Sequence, residues 1–141
     1  MKNELLVRKT VKINAEPAKV WDSITNPKMI KKYLFGTKVI STWKVGSEII
    51  FEGNWEGKKF KDKGVIEKLE IEKIFQYTYW SIFSGLDDKK ENYSLVTFEI
   101  SSDGKITKLT VSQKGFANKT LQEHSDKGWR NVLQKIKEIL E

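Results

Sequence analysis

The chain has 141 residues, with 26 Lys and Arg against 19 Asp and Glu, a formal charge of +7, and 38% hydrophobic and 32% charged residues. That balance fits one soluble globular domain over residues 1–141 with a sizeable core, and no apolar run approaches the roughly 18–20 residues that span a bilayer. The absence of Cys excludes disulfides, thiolate nucleophiles and Cys-ligated zinc, and makes a reducing cytoplasm the expected location.

The N-terminal stretch MKNELLVRKTVKI alternates apolar and charged residues, unlike the continuous apolar centre of a signal peptide. Leu5, Val7, Val11 and Ile13 share one parity, which predicts a half-buried first strand. Asn14 is a candidate cap for a short helix carrying Val20, Trp21 and Ile24, with Pro17 tolerated in its first turn. Asn26-Pro27 reads as a second cap and an N1 proline opening a short helix through Met29, Ile30 and Tyr33, closed by Gly36.

Strands and turns follow: Lys38–Trp43, a turn at Val45-Gly46-Ser47, then Glu48–Trp55 with Ile49, Phe51 and Trp55 alternating against polar residues. Glu56-Gly57 predicts a hairpin into Lys58–Ile71, and Phe75, Tyr77 and Tyr79 mark the inner parity of a strand reaching about Phe83. Ser84–Asn92 is polar and forms the longest predicted loop. Leu95–Ser101 and Lys105–Gln113 form a hairpin turned at Asp103-Gly104, with a type I′ turn expected. The chain closes on EHSDKGWRNVLQKIKEIL, in which Trp129, Val132, Leu133, Ile136, Ile139 and Leu140 recur at helical spacing. Its first turns are small or polar at His124, Ser125 and Gly128, a pattern that could roof a pocket or merely permit close helix–strand approach.

Consecutive strands joined by tight turns predict an α+β domain, a curved antiparallel sheet of about six to seven strands whose one bare face the C-terminal helix covers. A ligand cavity is expected between sheet and helix, walled by Phe51, Trp55, Tyr77, Tyr79, Phe98, Val111 and Gln113, roofed by His124, Gly128 and Trp129, and open near the Ser84–Asn92 loop.

Other chemistry finds little support. The lysines are dispersed beside acids or at turns, without an arginine-rich arm or nucleic-acid motif, so no specific nucleic-acid partner is expected. His124, Ser125 and Asp126 are adjacent, and neighbours on a helix point about 100° apart, so they form no catalytic relay. One His without Cys or paired His–Glu spacing gives no catalytic residue set, no metal site and no cofactor.

The ordered pieces Ile13-Asn14-Ala15, Val20-Trp21, Thr25-Asn26-Pro27, Gly64-Val65-Ile66, Tyr77-Thr78-Tyr79, Val96-Thr97-Phe98-Glu99, Lys108-Leu109-Thr110-Val111, Gly115-Phe116 and Gly128-Trp129 resemble a known family. It is the START-like, or SRPBCC, helix-grip superfamily, in the branch of homologues of the activator of the 90-kDa heat-shock protein ATPase. The chain departs from that pattern at Tyr33 and Tyr79, where members commonly carry Trp, and at Gln113, where the strand often ends in His. The resemblance implies the helix-grip fold and a cavity, and leaves the substrate open.

Three functions follow as expectations. The first is binding of a small apolar or aromatic ligand, without membrane insertion. The second is a cyclase- or hydrolase-type enzyme using His124 and tyrosines in the same cavity. The third, implied by the resemblance, is a chaperone-interaction module. Activators of that kind carry a further N-terminal domain, for which 141 residues leave no room. Ligand binding is favoured.

Overall fold

The computed structural model describes residues 5–141, so the part of the single-domain expectation that rests on the first four residues lies outside the described ones. Alternating side chains build strands β1 (Leu6–Ile13), β2 (Lys38–Ser41), β3 (Glu48–Trp55), β4 (Lys58–Glu70), β5 (Ile74–Tyr79), β6 (Ser94–Ser102) and β7 (Thr107–Lys114). They form one antiparallel seven-stranded sheet in the order β1-β7-β6-β5-β4-β3-β2. Helices α1 (Pro17–Thr25) and α2 (Pro27–Tyr33) fill the crossover from one edge of the sheet to the other. Helix α3 (Lys119–Leu140) lies against the inner face, and this is the helix-grip fold.

The core gathers the inner side chains of the sheet and the apolar stripe of α3. Ile13, Ile24, Ile66, Leu109, Val111 and Ile136 are all fully buried. Four polar contacts run along the β1 edge and fix the length of α3 against it. The Gln122 amide donates to the Leu6 carbonyl at 3.0 Å, Lys9 pairs with Asp126 at 2.9 Å, the Lys137 ammonium reaches the Lys12 carbonyl at 2.9 Å, and the Glu141 carboxylate accepts from the Asn14 N–H at 2.8 Å. Lys9 has the inner parity of β1, and Asp126 is what makes a lysine tolerable there.

Several boundaries differ from the sequence reading, each for a local reason. Asn14 does not cap α1; Glu16 occupies the cap position and Asn14 is engaged by Glu141. Asn26 does cap α2, its side chain accepting from the Lys28 N–H at 3.0 Å. β2 stops at Ser41 because Trp43 adopts φ 57, and the Ser41 hydroxyl accepts from the Trp43 N–H. α3 starts earlier than the apolar spacing shows, at Lys119, because Asn118 caps it through the Leu121 N–H at 2.9 Å. The Asp103-Gly104 connection is not a two-residue turn. Asp103 has no left-handed φ, and its carboxylate accepts from the Lys105 and Ile106 N–H groups, making a four-residue loop. Glu56-Gly57 is a true two-residue turn with φ 49 and 82.

One end of the sheet gathers the α2–β2, β3–β4 and β5–β6 connections, while α3 runs from that end toward the opposite one. The antiparallel registers Lys38↔Glu52, Trp55↔Lys58 and Tyr79↔Ser94 set this arrangement.

Candidate functional site

The inner face of the sheet carries an aromatic wall. The period-2 pleat sends Phe51, Phe75, Tyr77 and Phe98 to one side, and the register sets Phe98 opposite both Phe75 and Val111. Ring centroids follow one another closely. Trp129 meets Phe98 edge-on at 5.5 Å, Phe98 stacks on Phe75 at 6.1 Å, Phe75 lies 5.1 Å from Tyr77, Tyr77 5.6 Å from Phe51, and Phe51 5.5 Å from Tyr79.

The polar tips of Trp129, Tyr33 and Tyr79 are paired within the protein. The Trp129 indole N–H donates to the Gln113 Oε1 at 2.8 Å, and the Gln113 amide donates to the Ser94 hydroxyl at 2.8 Å. Gln113 is therefore a buried bridge between sheet and helix. The Tyr33 hydroxyl donates to the Ser23 carbonyl at 2.8 Å. Burial pushes the phenols of Tyr33, Tyr77 and Tyr79 above their ordinary value of 10.0, which keeps them neutral at physiological pH.

The space left between wall and helices is about 20 Å³, lined by Ile24, Ile30, Tyr33, Phe51, Tyr77 and Trp129 among others. That is room for about one water. Side chains of α2 fill what would otherwise be the cavity, because Ile30 and Tyr33 point inward from the crossover.

The predicted residues divide accordingly. Phe51, Tyr77, Phe98, Val111, Gln113 and Trp129 come together at the wall, with Tyr79 next to Phe51. Trp55 has the same parity but is 51% exposed. His124 and Gly128 do not roof the wall. Both are on the exposed side of α3, and a Cβ at Gly128 would meet nothing within 4 Å. The inward stripe runs instead through Trp129, Val132, Leu133 and Ile136, while Gln122 and Asp126 turn to the β1 edge and His124 and Gly128 face solvent. The cavity opening expected at 84–92 is tied down. Asp88 accepts from Lys63 at 2.6 Å and from the Tyr93 hydroxyl at 2.6 Å, and the Trp80 indole donates to the Leu86 carbonyl.

Two features lie outside the sequence-based residue set. At the open end of the wall Phe35 meets Trp55 at 6.4 Å, and Phe60 meets Phe83 at 5.6 Å with its ring lying over Gly53. Asp62 is the other. It is opposite Phe51 in the register, 4% exposed, and its carboxylate accepts from the Tyr79 hydroxyl and the Ile82 N–H. The strand predicted to reach Phe83 therefore ends at Tyr79, and Ile82–Ser84 winds into a 3-10 turn held by Asp62 and capped by Ser81. Its signal was the parity Phe60-Asp62-Gly64-Ile66, an acid placed on an inward row.

Burial raises the Asp62 carboxyl above its ordinary 3.8, outweighing the hydrogen bonds from Tyr79, Ile82 and Ser81 that lower it. A folded-state value above the unfolded one means that ionisation opposes the fold. Stability is lost as pH rises from the unfolded carboxylate's range through the folded value. Asp62→Asn should therefore gain stability relative to the parent chain as pH climbs from about 3 to 7. Urea melts of both proteins across that range check this, and a difference growing toward acid pH would overturn it.

Among the described residues no three His, Asp or Glu side chains gather to hold a metal. No helix among them is long and apolar enough to cross a membrane.

Comparison with known proteins matches this geometry. A solution structure of a protein from Cytophaga hutchinsonii shares 36% identity over 99% of this chain and 96% of that one, with a TM-score of 0.85. An Aha1 dimer from Colwellia psychrerythraea (16% identity, 96% of both chains, TM-score 0.76) shares the fold. So does an HSP90 activator from Plasmodium falciparum (19% identity, 96% of this chain and 95% of that one, TM-score 0.76). No curated protein matches. The sequence pattern of the family described as Activator of Hsp90 ATPase homolog 1-like protein matches residues 14–141, and the chain belongs to that family.

Proposed function

We propose that this chain binds a small, largely apolar or aromatic molecule on the wall between its sheet and α3. The observation that carries this reading is the unbroken run of ring contacts from Trp129 through Phe98, Phe75, Tyr77 and Phe51, with Trp55 continuing its inward parity to the open end. Apolar walls with a few polar tips are what ligand pockets offer, and here the tips are phenols and an indole with no free charge.

A space of about 20 Å³ excludes such a ligand until something moves. Helix α2 is the part that would have to move. It is only seven residues long, it supplies Ile30 and Tyr33 to the lining, and it is followed by Phe35 and Gly36, both at positive φ. Swinging it outward opens the wall toward Phe35 and Trp55.

A thermal-shift screen of aromatic and polyketide-like compounds, backed by native mass spectrometry, tests the reading. A true ligand should stabilise the fold by about 2.7 kcal/mol at a hundredfold excess over its Kd. Leu34→Trp, which enlarges a side chain of the cavity lining at the end of α2, should abolish the shift, while Gly128→Leu on the exposed side of α3 should leave it intact. A screen with no hits, or hits indifferent to Leu34→Trp, would refute the proposal.

A further inference from the structure

Large apolar side chains are exposed together at the open end of the grip. Phe35 is 67% exposed, Ile82 55%, and Trp55 and Phe83 each 51%. They come from three separate places in the chain: the α2–β2 loop, the end of β3 and the 3-10 turn after β5. Phe35 meets Trp55 at 6.4 Å, and Phe83 meets Phe60 at 5.6 Å. Exposing this much apolar surface is costly unless something covers it.

Lysines outnumber acids around these tips. Lys58 and Lys59 open β4 beside the Trp55 turn, Lys61 is near Ile82, Lys38 begins β2, and the Lys135 ammonium sits 4.7 Å from the Phe35 ring centre. Against them stand Glu52, which lies between Lys38 and Lys61 in the register, and Glu56 in the turn. None of these lysines takes a carboxylate in an ion pair among the described residues. Apolar anchors ringed by unpaired lysines are complementary to an interface that is apolar inside and anionic at its face.

We propose that this end of the molecule docks on an anionic lipid bilayer, with Phe35, Trp55, Ile82 and Phe83 entering the headgroup boundary and the lysines facing the lipid phosphates. Shape favours a bilayer over other anionic partners. Ile82 borders an open recess of about 510 Å³, with Phe60, Lys59, Lys61 and Glu52 also on its rim. Fluid acyl chains conform to such relief, whereas a folded protein surface must match it. Docking of this kind needs no membrane-spanning segment and does not depend on the wall holding a ligand.

Co-sedimentation with vesicles tests it. The protein should bind phosphatidylcholine vesicles containing phosphatidylglycerol at about 0.1 M salt, and lose binding steeply at higher salt. Vesicles of phosphatidylcholine alone should bind at least about tenfold more weakly. Phe35→Ser with Trp55→Ser, and separately Lys58→Glu with Lys59→Glu, should each lower binding by about tenfold or more. Both pairs alter exposed side chains, so the melting temperature should hold and report that the fold is intact. Lys105→Glu with Lys108→Glu, at the opposite end of the sheet, should bind as the parent does. No binding to anionic vesicles would overturn the proposal. So would equal loss in the opposite-end pair, no loss in the aromatic pair, or vesicle binding no tighter than that to duplex DNA at equal phosphate.

Discussion

Truncating Ile136 to alanine should cost the fold about 2–5 kcal/mol, a large share of the roughly 5–15 kcal/mol that holds a domain together. Ile136 is fully buried on the inward stripe of α3, in one core with Val132, Leu133 and the inner residues of the sheet. Removing its outer carbons leaves a void that a seven-stranded antiparallel sheet and a helix tethered along β1 cannot collapse to fill. Calorimetry should show a melting temperature lower by about 10 °C or more. Ile139→Ala, three residues on and 39% exposed, should change stability by less than about 1 kcal/mol. Equal losses in the two variants would mean that α3 packs with a different phase.

Gly64→Ala should also destabilise the fold, for a different reason. A Cβ there would lie 1.6 Å from the Thr78 carbonyl oxygen and 2.5 Å from its carbon. Both are backbone atoms, and the Val65 N–H beside them donates to the Thr78 hydroxyl. β4 and β5 approach too closely here for any side chain, and relief requires parting the strands. The expected loss is at least about 1–3 kcal/mol, read by denaturant melts, with lost amide protection centred on β4 and β5. Gly128→Ala is the control, since nothing lies within 4 Å of its Cβ position. There the helix should gain about 0.5–1 kcal/mol from the removed glycine entropy. A neutral Gly64→Ala would show that the strands are farther apart than described.

The candidate site was only partly legible in the residues. Wall positions Phe51, Tyr77 and Phe98 follow from parity, because a strand sends alternate side chains to opposite faces regardless of what surrounds it. Helical periodicity misplaces His124 and Gly128, because it reports which residues share a face and leaves unstated what a small or polar residue is turned toward. Asp62 stood in an inward row but among lysines at positions 61 and 63, which made the segment look like solvated surface.

Order of elements, antiparallel pairing, the inward aromatic rows and the amphipathic C-terminal helix were determined by the sequence alone. All of these depend on local spacing and turn chemistry, and local rules act between residues a few positions apart. The tertiary structure decided the rest. It set α2 into the space between wall and helix, which reduced an expected cavity to about 20 Å³. It gathered Phe35, Trp55, Ile82 and Phe83 from three separate parts of the chain onto one exposed end. It also gave Asp62 to Tyr79 and Ile82 across the sheet. Those outcomes join residues distant in the chain, and packing of the whole domain, with every element competing for the same core volume, is what selects them.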